Sequence, residues 1–161
     1  MDDSQRDARM RAISYIGISH KSSGKVKDYL VRAGFLPETA REAVDTLVTD
    51  GYIDDLRIAR ALIAARTGKK SESRYALQQR LTQAGISRDI LPDADEYMRS
   101  DDDSIRELFD AAILPDFRKQ MDLPDFDAQK WINKTYRFLM SRGFSSCLIT
   151  DTLRNRIRDV E

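Results

Sequence analysis

One fourteen-residue block recurs three times along this chain, and that recurrence constrains the fold more than any other feature. The copies read KDYLVRAGFLPETA, QQRLTQAGISRDIL and YRFLMSRGFSSCLI. Each carries a leucine, three further residues, then glycine followed by a large apolar side chain: Leu30/Gly34/Phe35, Leu81/Gly85/Ile86 and Leu139/Gly143/Phe144. Six residues past each glycine comes another apolar position, Ala40, Leu91 and Ile149. The glycines stand 51 and 58 residues apart, room for three helices per period. In such a block a helix turns its leucine inward, glycine reverses the chain through positive φ, and the next residue plugs the gap before a second helix. A unit of this size lacks a self-sufficient core, so the reading is an all-α chain of three tandem three-helix repeats. Neighbouring units would then pack into an elongated, curved array. The units fall at 1–51, 52–99 and 100–161.

Apolar spacing along the rest of the chain supports helix nearly throughout, since intervals of three and four dominate and strand-like alternation never persists. Met10, Ile13, Ile16 and Gly17 share one face of a first helix, and Val26, Tyr29, Leu30 and Ala33 one face of a second. Pro37 opens a third as a first-turn residue, with Ala40, Val44, Leu47 and Val48 inward, and Gly51 closes it. Asp54 is placed as N-cap of the next helix, which is expected from Asp55 to about Arg66. Asp55 adds first-turn negative charge, and Ile53 with Ile58 has hydrophobic-staple spacing. Further helices are expected over 72–83, from Ser87 to Met98, and from Ser104 until Pro115 removes a backbone donor. The acids Asp101, Asp102 and Asp103 favour that helix start. The stretch 114–127, with Pro115 and Pro124, reads as a loop with room for a helical turn. A long helix carries Trp131, Thr135, Phe138 and Leu139 to Gly143, and Ser145 caps the last.

Several chemistries are excluded by what the chain lacks. One histidine (His20) and one cysteine (Cys147) cannot make a zinc site, a Cys–His pair or a disulfide framework. Cys147 is expected as a small, partly buried residue in the first turn of the last helix, and His20 at the exposed end of the first. Asp122, Asp125 and Asp127 lack the loop glycine and terminal glutamate of a calcium loop. No glycine pair falls in a lysine-bearing phosphate loop, so no metal or cofactor is expected. Scattered carboxylates do not supply the convergent groups of an enzyme. No apolar run approaches the ~20 residues of a membrane span, and the charged start MDDSQRDARMR is unlike a signal peptide. A cytoplasmic protein is the expectation.

Charge carries the functional signal. With 27 basic and 27 acidic residues the net is zero, so only its distribution can point to a partner. Arg66, Lys69, Lys70, Arg74, Arg80 and Arg88 stand against Glu72 alone, and Lys130, Lys134, Arg137, Arg142, Arg154, Arg156 and Arg158 against Asp151, Asp159 and Glu161. The stretch between is acidic. Basic helices of this kind neutralise phosphates, dock on acidic protein surfaces, or are solvated faces favoured near helix C-termini. Lys130, Lys134 and Arg137, with Lys119 as a possible neighbour, form a stripe on one helix. Asp54 and Asp55 already have structural reasons as cap and first-turn acid. Tyr52 beside them, and Trp131, are read as packing between units.

The block GYIDD (Gly51–Asp55) continued as LRIARALIAAR, the QAGIS block, the FLMSRGFS block and the opening AISYIGISHKSSGKVKDYLVRAGF together resemble the RecX family. The resemblance covers most of the chain, and its most specific element is the glycine–aromatic–aliphatic–Asp–Asp run. It departs from the family's pattern at Ser19, where an arginine is usual, at Lys25 and Arg80, where glutamates are usual, and at KKSESRY (69–75), which replaces a glycine-rich basic turn. What the resemblance implies is a non-catalytic, monomeric regulator of the RecA recombinase. Such a regulator binds RecA filaments on DNA and restrains ATP hydrolysis and strand exchange, with weak secondary affinity for single- or double-stranded DNA. On that reading Arg66, Lys69, Lys70, Arg74, Lys130, Lys134, Arg137 and Arg142 face the partner or DNA, while Gly34, Gly51, Asp54, Asp55, Gly85 and Gly143 are structural. The competing reading is a helical protein that binds DNA directly, without a recombinase.

Overall fold

The computed structural model describes residues 3–158, and among them there are helices and turns and no strand. The helices are α1 (Asp3–Ile16), α2 (Ser23–Arg32), α3 (Pro37–Thr49), α4 (Asp55–Ala64), α5 (Arg74–Gln83), α6 (Leu91–Asp95), α7 (Asp101–Leu108), α8 (Leu114–Met121), α9 (Ala128–Ser141) and α10 (Ser146–Arg158). Two compact units result. One takes the chain up to Leu62 together with Arg80–Tyr97, the other Ile63–Gln79 together with the chain from Met98.

The first unit buries one face each of α1, α2 and α3. Ala8, Ala12 and Ile16 line the inner face of α1, and the two alanines leave room for α3 to pack closely against it. Met10, read from sequence as inward, lies on the opposite side and is 58% exposed, because the alanine spacing of four fixes the buried face. In α3 the inner residues are Ala40, Ala43, Val44 and Leu47, and Val48 is displaced outward. Tyr15 and Tyr29 stack at 4.0 Å over this core.

The second unit is built on Ile105, Leu108, Phe109, Ile113, Trp131, Leu139, Phe144, Ile149 and Leu153. Three sequence expectations are corrected here. The helix expected to stop at Pro115 does not stop: a π turn over Phe109–Ile113 intervenes, with the Leu114 N–H bonded to the Phe109 carbonyl, and α8 begins at Leu114. Widening the ladder just before proline absorbs its missing donor, so the stretch read as loop is helical to Met121. This places Phe117 against Trp131 at 4.7 Å and the Asp116 carboxylate 3.1 Å from the indole N–H. Trp131 is therefore a core residue of its own segment. The third correction concerns α7, which starts at Asp101 with Ser100 as N-cap, so the three acids occupy its first turn and meet the helix dipole there.

Two smaller boundaries also move. The helix expected from Glu72 starts at Arg74, because Ser73 is its cap and accepts the Ala76 N–H at 3.1 Å. The helix expected from Ser87 to Met98 is a 3₁₀ turn over Arg88–Ile90 followed by the short α6. Pro92 cannot donate to an α-ladder, and the tighter turn precedes it. Asp54 and Ser145 cap as read, accepting the N–H groups of Arg57 (2.9 Å) and Leu148 (3.3 Å).

The recurring glycines do more than turn the chain. Gly85 receives the start of α2: the Gly24 N–H donates to the Gly85 carbonyl at 2.9 Å, and the Ser22 hydroxyl to the Ala84 carbonyl at 2.5 Å. Gly143 receives the start of α5 in the same way, with the Ser73 N–H donating to the Arg142 carbonyl at 3.0 Å. Each is a joint between a serine-capped helix N-terminus and a glycine turn. Each lies wholly within one compact unit.

Candidate partner-binding surfaces

The GYIDD block supplies a buried polar node. Asp55 is 6% exposed. Its carboxylate accepts the Ser23 N–H at 2.8 Å, the Ser23 hydroxyl at 2.5 Å and the Ser87 N–H at 2.7 Å. One charge therefore ties the start of α2 and the turn after Gly85 to the start of α4, satisfying donors that burial would otherwise leave unpaired. Sequence reading found the first-turn position and missed the node. The only signal for it was a serine in each of the segments it ties to α4, Ser23 opening α2 and Ser87 just past Gly85. Tyr52 next to it is 48% exposed, with the Arg9 guanidinium 5.9 Å from its ring.

The first basic stretch divides into structural and free-standing members. Arg66 stands two residues past α4 and pairs with Glu72 at 3.1 Å, the Glu72 side chain being 2% exposed. The single acid of that stretch thus draws Arg66 inward. Arg74 donates to the Met98 carbonyl at 3.0 Å, and its own N–H reaches Asp101 at 2.8 Å. Lys69 and Lys70, on a 3₁₀ turn over Gly68–Lys70, are exposed. That turn is fixed from below by Glu107, which accepts the Ser71 hydroxyl at 2.8 Å and Arg99 at 2.7 Å.

Burial alone would raise the Glu107 pKa, but the bonds from Ser71, Arg99 and the Gly68 backbone, with the charge of Arg99, hold it below its ordinary 4.5. A carboxylate with a depressed folded pKa stabilises the fold above the unfolded pKa, and that stability is lost as pH falls through the folded value. Glu107→Gln is therefore expected to destabilise at neutral pH and to match the wild type well below pH 4.5. Urea unfolding at both pH values measures this; an equal difference at both would remove the ion from the explanation.

The second basic stretch is a true stripe. Trp131, Thr135 and Leu139 make the buried face of α9, and Lys130, Lys134 and Arg137, at helical spacing, are exposed on it. Arg142, at the end of α9, is half-buried and stacks its guanidinium 5.0 Å from the Phe138 ring, while its carbonyl serves the Gly143 joint. Lys119 is exposed on α8, and Arg156 pairs with Asp110 at 3.3 Å. Asp159 and Glu161, counted against this stretch in sequence, lie outside the described residues. Lys69, Lys70 and the α9 stripe belong to one compact unit, although some 60 residues separate them in sequence.

The remaining features are less selective. An open cleft of about 1000 Å³ in the first unit is rimmed by Lys27, Arg41 and Arg88 and equally by Asp45, Asp54 and Asp89, so its charge favours no ligand. Cys147, expected partly buried, is exposed. Among the described residues no cluster of His, Cys, Asp and Glu could hold a metal ion, and no helix is long and apolar enough to cross a membrane. At the positions that depart from the family's pattern, Ser19, Lys25 and Arg80 are all exposed; the Ser19 hydroxyl donates to the Ile16 carbonyl at 3.2 Å.

No protein-family model matches the sequence. A regulatory protein RecX of Prosthecochloris aestuarii is 35% identical over 94% of this chain and 95% of its own length. The chain belongs to the RecX family. A second RecX, from Chlorobium phaeobacteroides, is 32% identical over the same shares of both chains. The RecX crystal structure from Lactobacillus salivarius superposes with a TM-score of 0.72 over 96% of this chain and 97% of the other, at 18% identity. At that identity the likeness is one of fold, and it agrees with the all-α reading. Both relatives bear the name of a regulatory protein, not of an enzyme.

Proposed function

We propose that this RecX-family chain regulates the RecA recombinase, binding RecA–DNA filaments and modulating ATP hydrolysis and strand exchange, mainly by inhibition, in recombination and DNA repair. The observation that carries the reading is the end-to-end match to a protein named regulatory protein RecX. The chain acts without catalysis or cofactor, as a cytoplasmic monomer whose DNA affinity is secondary. The sequence units 1–51, 52–99 and 100–161 allow it to touch more than one protomer in the filament groove. Lys69, Lys70 and the stripe Lys130, Lys134 and Arg137 face acidic protein or phosphate. Arg66, Arg74 and Arg142 support them from within.

DNA-dependent ATP hydrolysis by the cognate RecA, titrated with the chain at two salt concentrations, tests the reading. Inhibition below one chain per protomer is expected. No effect on hydrolysis together with a shift of bare DNA on a gel would replace it with direct DNA binding. Reversing Lys130, Lys134 and Arg137 to glutamate together is expected to abolish inhibition with helix content unchanged. The three side chains are exposed, and glutamate at position 130, in the first turn of α9, suits the dipole. Full-strength inhibition by the triple variant would remove the stripe from the contact surface.

A further inference from the structure

The block recurs three times, but only two of its glycine turns are occupied. An added Cβ at Gly85 would meet Ser22 and Lys25, and one at Gly143 would meet Ser73 and Ala76. At Gly34, which shares the positive φ (98°), it would meet nothing within 4 Å. The carbonyls of Ala84, Gly85 and Arg142 accept from the seated helix starts. Among the described residues, those of Ala33 and Gly34 accept from no backbone N–H of a turn, cap or loop.

The side chains around the open turn differ in a consistent direction. The residue after the glycine is buried in the occupied copies, Ile86 at 5% and Phe144 at 2%, whereas Phe35 is only half-buried. Two past the glycine the occupied copies have Ser87 and Ser145, and the open copy has Leu36, 72% exposed. Leu36 is the N-cap of α3 and caps nothing with its side chain. A serine there would cap and stabilise the helix. An exposed leucine at a capping position, with Val31 exposed on the other side of the turn in sequence, gives the isolated chain nothing in return.

We infer that the Gly34 turn is a docking site for a helix N-terminus of another protein, capped by serine or threonine and carrying glycine or alanine at its second or third helical position. Both occupants within this chain are serine-capped, and each offers a small residue in the first turn, Gly24 in α2 and Ala76 in α5. Among the other helix starts, α9 follows Asp127 with Ala128, Gln129 and Lys130, and the serine-capped α7 and α10 open with Asp101, Asp102, Asp103 and with Ser146, Cys147, Leu148. None of these has glycine or alanine at its second or third position. A second copy of this chain therefore cannot seat one of them on the Gly34 turn, and head-to-tail stacking is blocked. This inference does not depend on the recombinase reading.

The probe is a peptide of residues 71–83, which begins α5, stapled across positions 79 and 83 on its outer side to hold it helical. It is titrated into the full ¹⁵N-labelled chain. Saturable amide shifts confined to residues 31–36 are expected. Ala33→Arg, at the exposed C-cap of α2, is expected to weaken binding about tenfold or more, as is Ala76→Leu in the peptide. Leu36→Ser, which restores the serine of the other turns, folds at least as well and binds less tightly. Absence of shifts at 31–36 at millimolar peptide, or equal binding by the Ala33→Arg chain, overturns the proposal. A concentration-dependent dimer of the chain alone, lost in Ala33→Arg, overturns the choice of occupant in favour of a second copy.

Discussion

Replacing Asp55 by alanine is expected to cost about 3–4 kcal/mol and to lower the melting temperature by about 10 °C. The carboxylate accepts three hydrogen bonds in a site 6% exposed, two of them from backbone N–H groups of Ser23 and Ser87. Alanine leaves those two donors unpaired at half-buried positions, and each unpaired donor costs about 1–3 kcal/mol, more than the net worth of an ordinary bond. The dipole contribution that Asp55 makes as a first-turn acid accounts for only about 0.3–1 kcal/mol. The size of the loss therefore separates the two roles. Asp55→Asn should fall between, because one amide oxygen can serve one donor while its NH₂ opposes the other. Urea unfolding followed by circular dichroism measures the change. Asp55 and both of its partners, Ser23 and Ser87, lie in the first unit, so the fluorescence of Trp131, in the second, reports whether the loss spreads. A cost near that of a lost first-turn acid would mean that water replaces the carboxylate.

What was legible in the sequence was local, and what was not depended on partners far along the chain. The glycine turns, the cap at Asp54 and the cap at Ser145 follow from residue types within four positions of one another. The Asp55 node joins residues 32 positions away on either side, and no local pattern distinguishes a first-turn acid facing solvent from one facing two helix starts. Pro115 departs from its sequence expectation for a related reason. A proline forbids an α-hydrogen bond at one residue, but a π turn just before it lets the helix continue. The basic stretches were visible as composition. Which members stand free was decided by Glu72 and Met98, whose proximity is a property of the fold. Repetition is the most informative feature, because it marks Gly34, Gly85 and Gly143 as equivalent, and the fold then distinguishes the two that hold a helix start from the one that does not.

That equivalence sets up a matched comparison in which the sign of the effect is itself the test. Gly34→Ala should cost about 1–2 kcal/mol, the strain of an L-residue at positive φ, since its Cβ meets nothing. Gly85→Ala carries the same strain and adds overlap with the Ser22 Oγ at 2.8 Å and the Lys25 nitrogen at 3.0 Å, so a further 2–3 kcal/mol or so is expected. Gly24→Ala isolates the overlap, because Gly24 lies in the first turn of α2 and has no positive φ. Helix propensity alone predicts that this change stabilises the chain, by up to about 1 kcal/mol. The geometry predicts the reverse. A Cβ there would stand 2.7 Å from the Gly85 carbonyl oxygen and 2.8 Å from its Cα, and both are backbone atoms that cannot rotate away. The joint would have to part, releasing the Gly24–Gly85 hydrogen bond of 2.9 Å. Loss of about 2 kcal/mol or more in urea unfolding is therefore the expected result for Gly24→Ala. A neutral or stabilised variant would mean that α2 does not seat on the Gly85 turn in solution, and the equivalence between the occupied turns and the open one at Gly34 would fall with it.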